Sequence, residues 1–249
     1  MAFDHPSLAG HRAIMIGGPD LGASLAARMR RADADVTELH WGDAAGIDAD
    51  DAAAVGAATE AEVKRQDSLD VLVIDMLPLV APRPLDATGP AIVAQALARV
   101  GGVATAMAAA FPALRRSTDA RIIIIGHRYG QGVAEGIAPY NAAAWALVGL
   151  TRSAALDWGR YGIATTLLLP GAATAQFEAA RAARPALIDA LVAQLPLGRM
   201  GDPFDDIGGA VVMLAGPAGR FINGQTIHAD GGRHIAGAVI DPARISQTR

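Results

Sequence analysis

The residue types able to do chemistry gather in one stretch of this 249-residue chain, Arg121 to Trp158, RIIIIGHRYGQGVAEGIAPYNAAAWALVGLTRSAALDW. His127 and Arg128 follow four isoleucines and Gly126, and Tyr140 stands at the head of an Ala- and Leu-rich run. An imidazole and a phenol on one loop are candidate acid/base groups, and α/β sheets place their chemistry on loops leaving strand carboxyl ends. A second candidate site is the loop carrying Gly17, Gly18 and Gly22, between the apolar run HRAIMIGG and the helix-forming run Leu21 to Arg31. Strand, Gly-rich turn and helix in that order can admit a pyrophosphate to a helix N-terminus. Pro19 offers no N–H there, and the carboxylate of Asp20 opposes a phosphate. The six histidines show no metal-ligand spacing, so no metal is expected.

The elements that position these residues alternate between strand and helix. After the first strand and helix, DVTELHW (Asp35 to Trp41) reads as a second strand. An acidic residue for an adenosine ribose, or a basic one for a 2′-phosphate, is expected at its end. His40 and Trp41 stand there instead, either as structural strand-end residues or as a stacking surface for a base. Asp51 to Gln66 reads as a helix, LDVLVID (Leu69 to Asp75) as a buried strand and Ala91 to Arg116 as a long helix. The isoleucine strand and the Asn141–Trp158 helix come next, followed by the strand GIATTLLLPG (Gly162 to Gly171). Ala175 to Leu195 has the length of a lid, and Asp202 to Gly216 opens with helix-start signals. NGQTIHADGG (Asn223 to Gly232) supplies a last strand. Continuous apolar strands between helices predict a single α/β domain over residues 1–249, a Rossmann-like doubly wound parallel sheet with helices on both faces. Residues 233–249 form a tail expected to reach a neighbouring subunit.

Composition removes several function classes. Aromatics are 4% of the chain and the net charge is −4, which argues against nucleic-acid partners. The absence of cysteine excludes thiolate chemistry and disulfides. The start, MAFDHPSLAG, has no signal-peptide pattern, and the apolar runs fall short of a membrane span, so a cytoplasmic location without membrane contact is expected.

Three blocks in this order, YGIATTLLLPG, PLGRMGDPFDDIGGAVVMLAG and FINGQTIHADGG, resemble the short-chain dehydrogenase/reductase family. The resemblance implies hydride transfer between NAD(P) and a carbinol or carbonyl, in tetramers built on two long helices and on the last helix and strand. It also implies a site from which this chain departs. The glycine loop Thr-Gly-x-x-x-Gly-x-Gly reads Gly17, Gly18, Pro19, Asp20, Leu21, Gly22, Ala23, Ser24, and Asn-Asn-Ala-Gly reads Ile74, Asp75, Met76, Leu77. Asp48 matches the acid near the adenine amino group. Ala175 takes the place of a carboxamide-holding Thr, with Thr174 one residue away. Tyr140 matches the catalytic Tyr, but the Lys position is Ala144, the Ser position His127 and the relay-Asn position Arg99.

A Tyr without a neighbouring cation keeps a pKa near 10 and is a weak base at neutral pH. Losing the Lys also removes a charge-assisted hydrogen bond to the ribose worth roughly 1.5–3 kcal/mol. The expectation is a non-catalytic subunit that binds no cofactor itself. It would assemble as a heterotetramer with an active relative that carries the NAD(P) and acts on a hydroxyacyl or ketoacyl substrate such as a CoA thioester. Hetero-oligomeric members such as 2-(α-hydroxybenzyl)succinyl-CoA dehydrogenase pair an active with an inactive chain. A homo-oligomer is the other assembly considered. An alternative is a nicotinamide-independent lyase, isomerase or dehalogenase-like enzyme using Tyr140 and His127, and a third is an atypical active oxidoreductase. Tyr140 is read either as a working residue or as one that now only packs, His127 either as a base or as a loop histidine bonded to backbone. Arg128 and Arg99 are read either as grips for an anionic ligand or as solvated or interface arginines.

Overall fold

The computed structural model describes residues 7–42, 46–75, 84–127 and 136–236. Six parallel strands, β1 (Arg12–Gly17), β2 (Asp35–His40), β3 (Val71–Asp75), β4 (Arg121–Ile125), β5 (Ala164–Pro170) and β6 (Thr226–Ala229), form one sheet in the order β2-β1-β3-β4-β5-β6. The helices are α1 (Leu21–Arg31), α2 (Ala52–Gln66), α3 (Pro90–Leu114), α4 (Ala138–Gly159), α5 (Ala175–Ala183), α6 (Pro185–Val192) and α7 (Gly208–Ala215). This is the expected doubly wound sheet. Its chain path reverses between β1 and β3, so the crevice at their carboxyl ends is the place this topology offers a ligand.

The isoleucine strand shows why the sheet is covered on both sides. Ile122 and Ile124 join Leu72, Ile74, Leu167 and Leu169 in a core shared with α2, α3 and α4. Ile123 and Ile125 join Val71, Val73 and Leu168 in a second core closed by α1 and α7. Alternate side chains of a strand point to opposite faces, so a run with no polar interruption needs helices on both.

Local signals explain most element ends. Asp51 caps α2 by accepting from the backbone N–H groups of Ala53 and Ala54, and α2 ends at Asp67 in a left-handed conformation, φ 64°. Thr105 on α3 donates its hydroxyl to the Ala52 carbonyl at 2.6 Å, fixing α3 against the start of α2. By length and composition α3 meets the requirement for a membrane span, with 25 residues and a mean hydropathy of 1.4 in its most apolar window. Here the helix buries Val103, Ala106, Met107 and Ala110 in the core beside α2 and α4.

Three boundaries differ from the sequence reading. Helix α4 begins at Ala138 rather than Asn141, with Pro139 in its first turn, so Tyr140 is helical. The lid segment is two helices, because Pro185 lacks the N–H needed to continue α5 and starts α6 instead. The last helix opens with a wide turn, Pro203–Ile207, capped by Asp202 through Phe204 and Asp205 N–H, before α7.

The turn from β1 into α1 depends on a close backbone approach. A Cβ on Gly22 would lie 3.0 Å from Gly17 Cα and 3.1 Å from its carbonyl carbon. Gly22→Ala gains about 1 kcal/mol of helix propensity but must push these backbones apart, so we expect a net loss of about 1 kcal/mol. A urea titration reads this as a lower midpoint at constant slope. An unchanged or higher midpoint would show that the loop yields without strain.

Candidate functional site

The crevice at the topological switch is crossed by a side chain. Trp41, the residue after β2, donates its indole Nε1–H to the Asp75 carbonyl at the end of β3, 2.6 Å away. Since β1 lies between β2 and β3, the indole passes over the carboxyl end of β1. Its ring lies against the glycine loop, with ring atoms 3.5–3.9 Å from where a Cβ on Gly18 would be. Trp41 N–H donates to the Gly17 carbonyl at 3.4 Å, and Trp41 bridges to Ile47 on its other side. Arg99 of α3 places its guanidinium over the indole, 4.9 Å from the ring centroid, and its Nε donates to Asp50 at 2.7 Å. Arg99 is thus engaged by Asp50 and Trp41.

The glycine loop is engaged from the lid side as well. Asp20 precedes α1, and its Oδ2 accepts from the Ala175 N–H at the start of α5, 2.7 Å away. Thr174 caps the same helix by accepting from Phe177 N–H at 3.3 Å. A carboxylate therefore stands beside the helix N-terminus where a phosphate would bind. It also faces Asp75, whose carboxyl is lifted to about 7, first by burial and second by the charge of Asp20. Asp75 keeps some solvent-accessible surface at its edge although its carboxyl is enclosed. His40 lies at the β2 edge 3.7 Å from Glu38, and Asp48 is exposed, accepting from the Asp50 N–H of its own turn at 2.8 Å.

At the candidate catalytic end, the structure brings His127 and Tyr140 together. The imidazole meets the phenol ring edge-on, with centroids 5.3 Å apart and planes at 89°. Tyr140 is buried, as is Ala144 one helical turn later, which offers no charge at the family's Lys position. Arg128, Met76, Leu77 and residues 237–249 lie outside the described residues.

Sequence reasoning missed two arrangements. It saw Trp41 and Asp20 but not their partners Asp75 and Ala175, which are distant in the chain. It also missed that His228, Asp230 and His234 bring ligand atoms within 4.8 Å of one another. That differs from the expectation of no metal-like cluster, although the spacing His-x-Asp-x-x-x-His was available as a signal.

The Trp41 ring lies on Gly18, and the Asp20 carboxylate accepts from the first N–H of α5 beside the glycine loop. The enclosed carboxyl of Asp75 generates a test of the packing here. Between about pH 4 and 7 the folded protein keeps a proton that the unfolded chain has released, so stability falls as pH rises through that window. Asp75→Asn removes the ionisable group. We expect it to raise stability above pH 7 by on the order of 1–2 kcal/mol, discounted for partial solvent contact, and to have little effect near pH 4. Denaturation at both pH values checks this, and an equal gain at both would assign the effect to packing.

Comparison with known proteins places this geometry among relatives. The family model described as Enoyl-(Acyl carrier protein) reductase matches residues 20–234. The chain is 38% identical over 97 residues to gluconate 5-dehydrogenase of Gluconobacter oxydans, covering 39% of this chain and 38% of that protein. It is 32% identical over 122 residues to the 3-oxoacyl-[acyl-carrier-protein] reductase of Vibrio cholerae, covering 49% of each. The chain thus spans half or less of the length of these curated relatives. Among solved structures, gluconate 5-dehydrogenase of Burkholderia cenocepacia, in complex with NADP and tartrate, superposes with a TM-score of 0.82 at 27% identity, over 95% of this chain and all of that one. Thermoplasma acidophilum aldohexose dehydrogenase superposes at 0.83 with 21% identity, over 94% and 98% of the two chains, a likeness of fold. These relatives are named as dehydrogenases and reductases and none as an inactive subunit, so the expectation of a non-catalytic chain rests on this chain's own residues. By the extent of the family match and the shared fold, the chain belongs to the short-chain dehydrogenase/reductase family of oxidoreductases.

Proposed function

We propose that this chain is a non-catalytic member of the family that supports an active, related subunit carrying the NAD(P). The observation that carries this reading is the Trp41 indole, bonded to the Asp75 carbonyl and lying on Gly18 across the crevice. It is reinforced by Ala144 in place of the Lys, by His127 in place of the Ser and by the carboxylate of Asp20 at the phosphate position. Fold and family do not by themselves carry activity.

A partner is favoured by the outer faces of the two long helices. Trp145 and Leu156 on α4 are 50% and 83% exposed, and Leu97 on α3 is 40% exposed. A Cβ on Gly149, between Trp145 and Leu156, would meet nothing. Large apolar groups beside small ones suit a close helix–helix contact. The substrate of the complex, a hydroxyacyl or ketoacyl compound such as a CoA thioester, would be bound by the active chain.

The second reading, an atypical active oxidoreductase, is favoured by the NADP in the Burkholderia relative. Titration with NADH and NADPH, followed by fluorescence and calorimetry, separates the two. The non-catalytic reading expects no saturable binding in the micromolar range, and clear micromolar binding would select the atypical enzyme. Co-expression with an intact family member from the same genome, followed by native mass spectrometry, tests the partnership. Mixed tetramers are expected, and homo-oligomers alone would overturn it.

A further inference from the structure

A second group of chemistry-bearing residues lies at the far edge of the sheet, apart from the crevice. The end of β6 carries His228, and Asp230 follows it directly. Gly231 and Gly232, with φ of 64° and 84°, then turn the chain back. That turn lays His234 over His228, with rings stacked at 3.9 Å and planes 16° apart. The Asp230 side chain is 1% exposed. Its carboxylate accepts from Gly232 N–H at 3.0 Å, from His234 N–H at 2.9 Å and from His234 Nδ1 at 3.0 and 3.2 Å. His228 Nδ1 stands 3.7 Å from its Oδ2.

We propose that His228, Asp230 and His234 form a binding site for one divalent cation of the Zn2+ class, which fastens the turn after β6 to the end of that strand. Imidazole nitrogens and a carboxylate are the donors that borderline cations take, at about 2.0–2.2 Å each, which sets tetrahedral donors roughly 3.3 Å apart. The distances of 3.0 and 3.7 Å from Asp230 to the two imidazoles bracket that separation. Stacked rings cannot both aim a lone pair at one ion, so one must turn. His234, with 36% of its side chain exposed, has the room to do so.

A cavity of about 450 Å³, lined among others by Leu197, Arg199, Ile207 and Asp230, opens on the cluster and leaves space for a water or small anion as a further ligand. The proposal is independent of the reading of the cofactor crevice.

Tag-free, metal-stripped full-length protein titrated with Zn2+ in a calorimeter tests it, with Co2+ absorption as a report of coordination. We expect one ion per chain, intense visible Co2+ bands and a higher melting temperature on adding Zn2+. His234→Ala should weaken binding by more than the roughly 10- to 100-fold that loss of an outer partner costs, and should abolish the Zn2+-dependent melting shift. His11→Ala, at a histidine elsewhere on the chain, should change neither. No binding to the wild type, or equal affinity in wild type and His234→Ala, would overturn the proposal and mark any bound ion as adventitious. His228→Asn provides a second ligand deletion where its circular dichroism matches the wild type. Where it unfolds, His234→Ala decides.

Discussion

One hydrogen bond sets the character of this molecule, from the Trp41 indole to the Asp75 carbonyl. It joins the outermost strand to the third across the point where the sheet's winding reverses, the position a doubly wound fold leaves open for ligands. A buried indole needs a partner for its N–H, and a strand-end carbonyl needs a donor. Each satisfies the other, so the closure of the crevice is held in place by satisfied polar groups. The rest of the neighbourhood follows. Arg99 lies over the indole and reaches Asp50, while the ring rests on Gly18.

The contrast between scaffold and site is chemical as well as geometric. The two cores use the same alternating apolar strands that any member of this fold requires, and the superposition on the Burkholderia enzyme extends over nearly the whole chain. A scaffold can keep its packing while its crevice is refilled, because the sheet is stabilised by contacts on its faces and the ligand site lies at its end.

The sheet was legible because its signals are local. The bounds of α1 coincide with the composition of Leu21 to Arg31, and four isoleucines announce a strand covered on both sides. Tyr140 and His127 were picked out from the sequence, and the fold brings their rings together. The filling of the crevice was not legible. Nothing local tells that Trp41 bonds a carbonyl at Asp75, that Asp20 reaches Ala175 or that Arg99 finds Asp50, because each pair is made by the winding of the sheet. The placement of Tyr140 inside α4 turned on Pro139, a residue that suits the first turn of a helix as readily as a loop. His228 and His234 were passed over because a two-glycine reversal, invisible as periodicity, folds one over the other.

Asp20 has one further consequence. A joint between two helix N-termini that waits for an anion closes according to how much of that anion is dissolved around it, and opens when the supply falls. Here the negative group bonded to the start of α5 is part of the polypeptide and sits next to α1. The contact between the glycine loop and the start of α5 is therefore made by the chain's own residues.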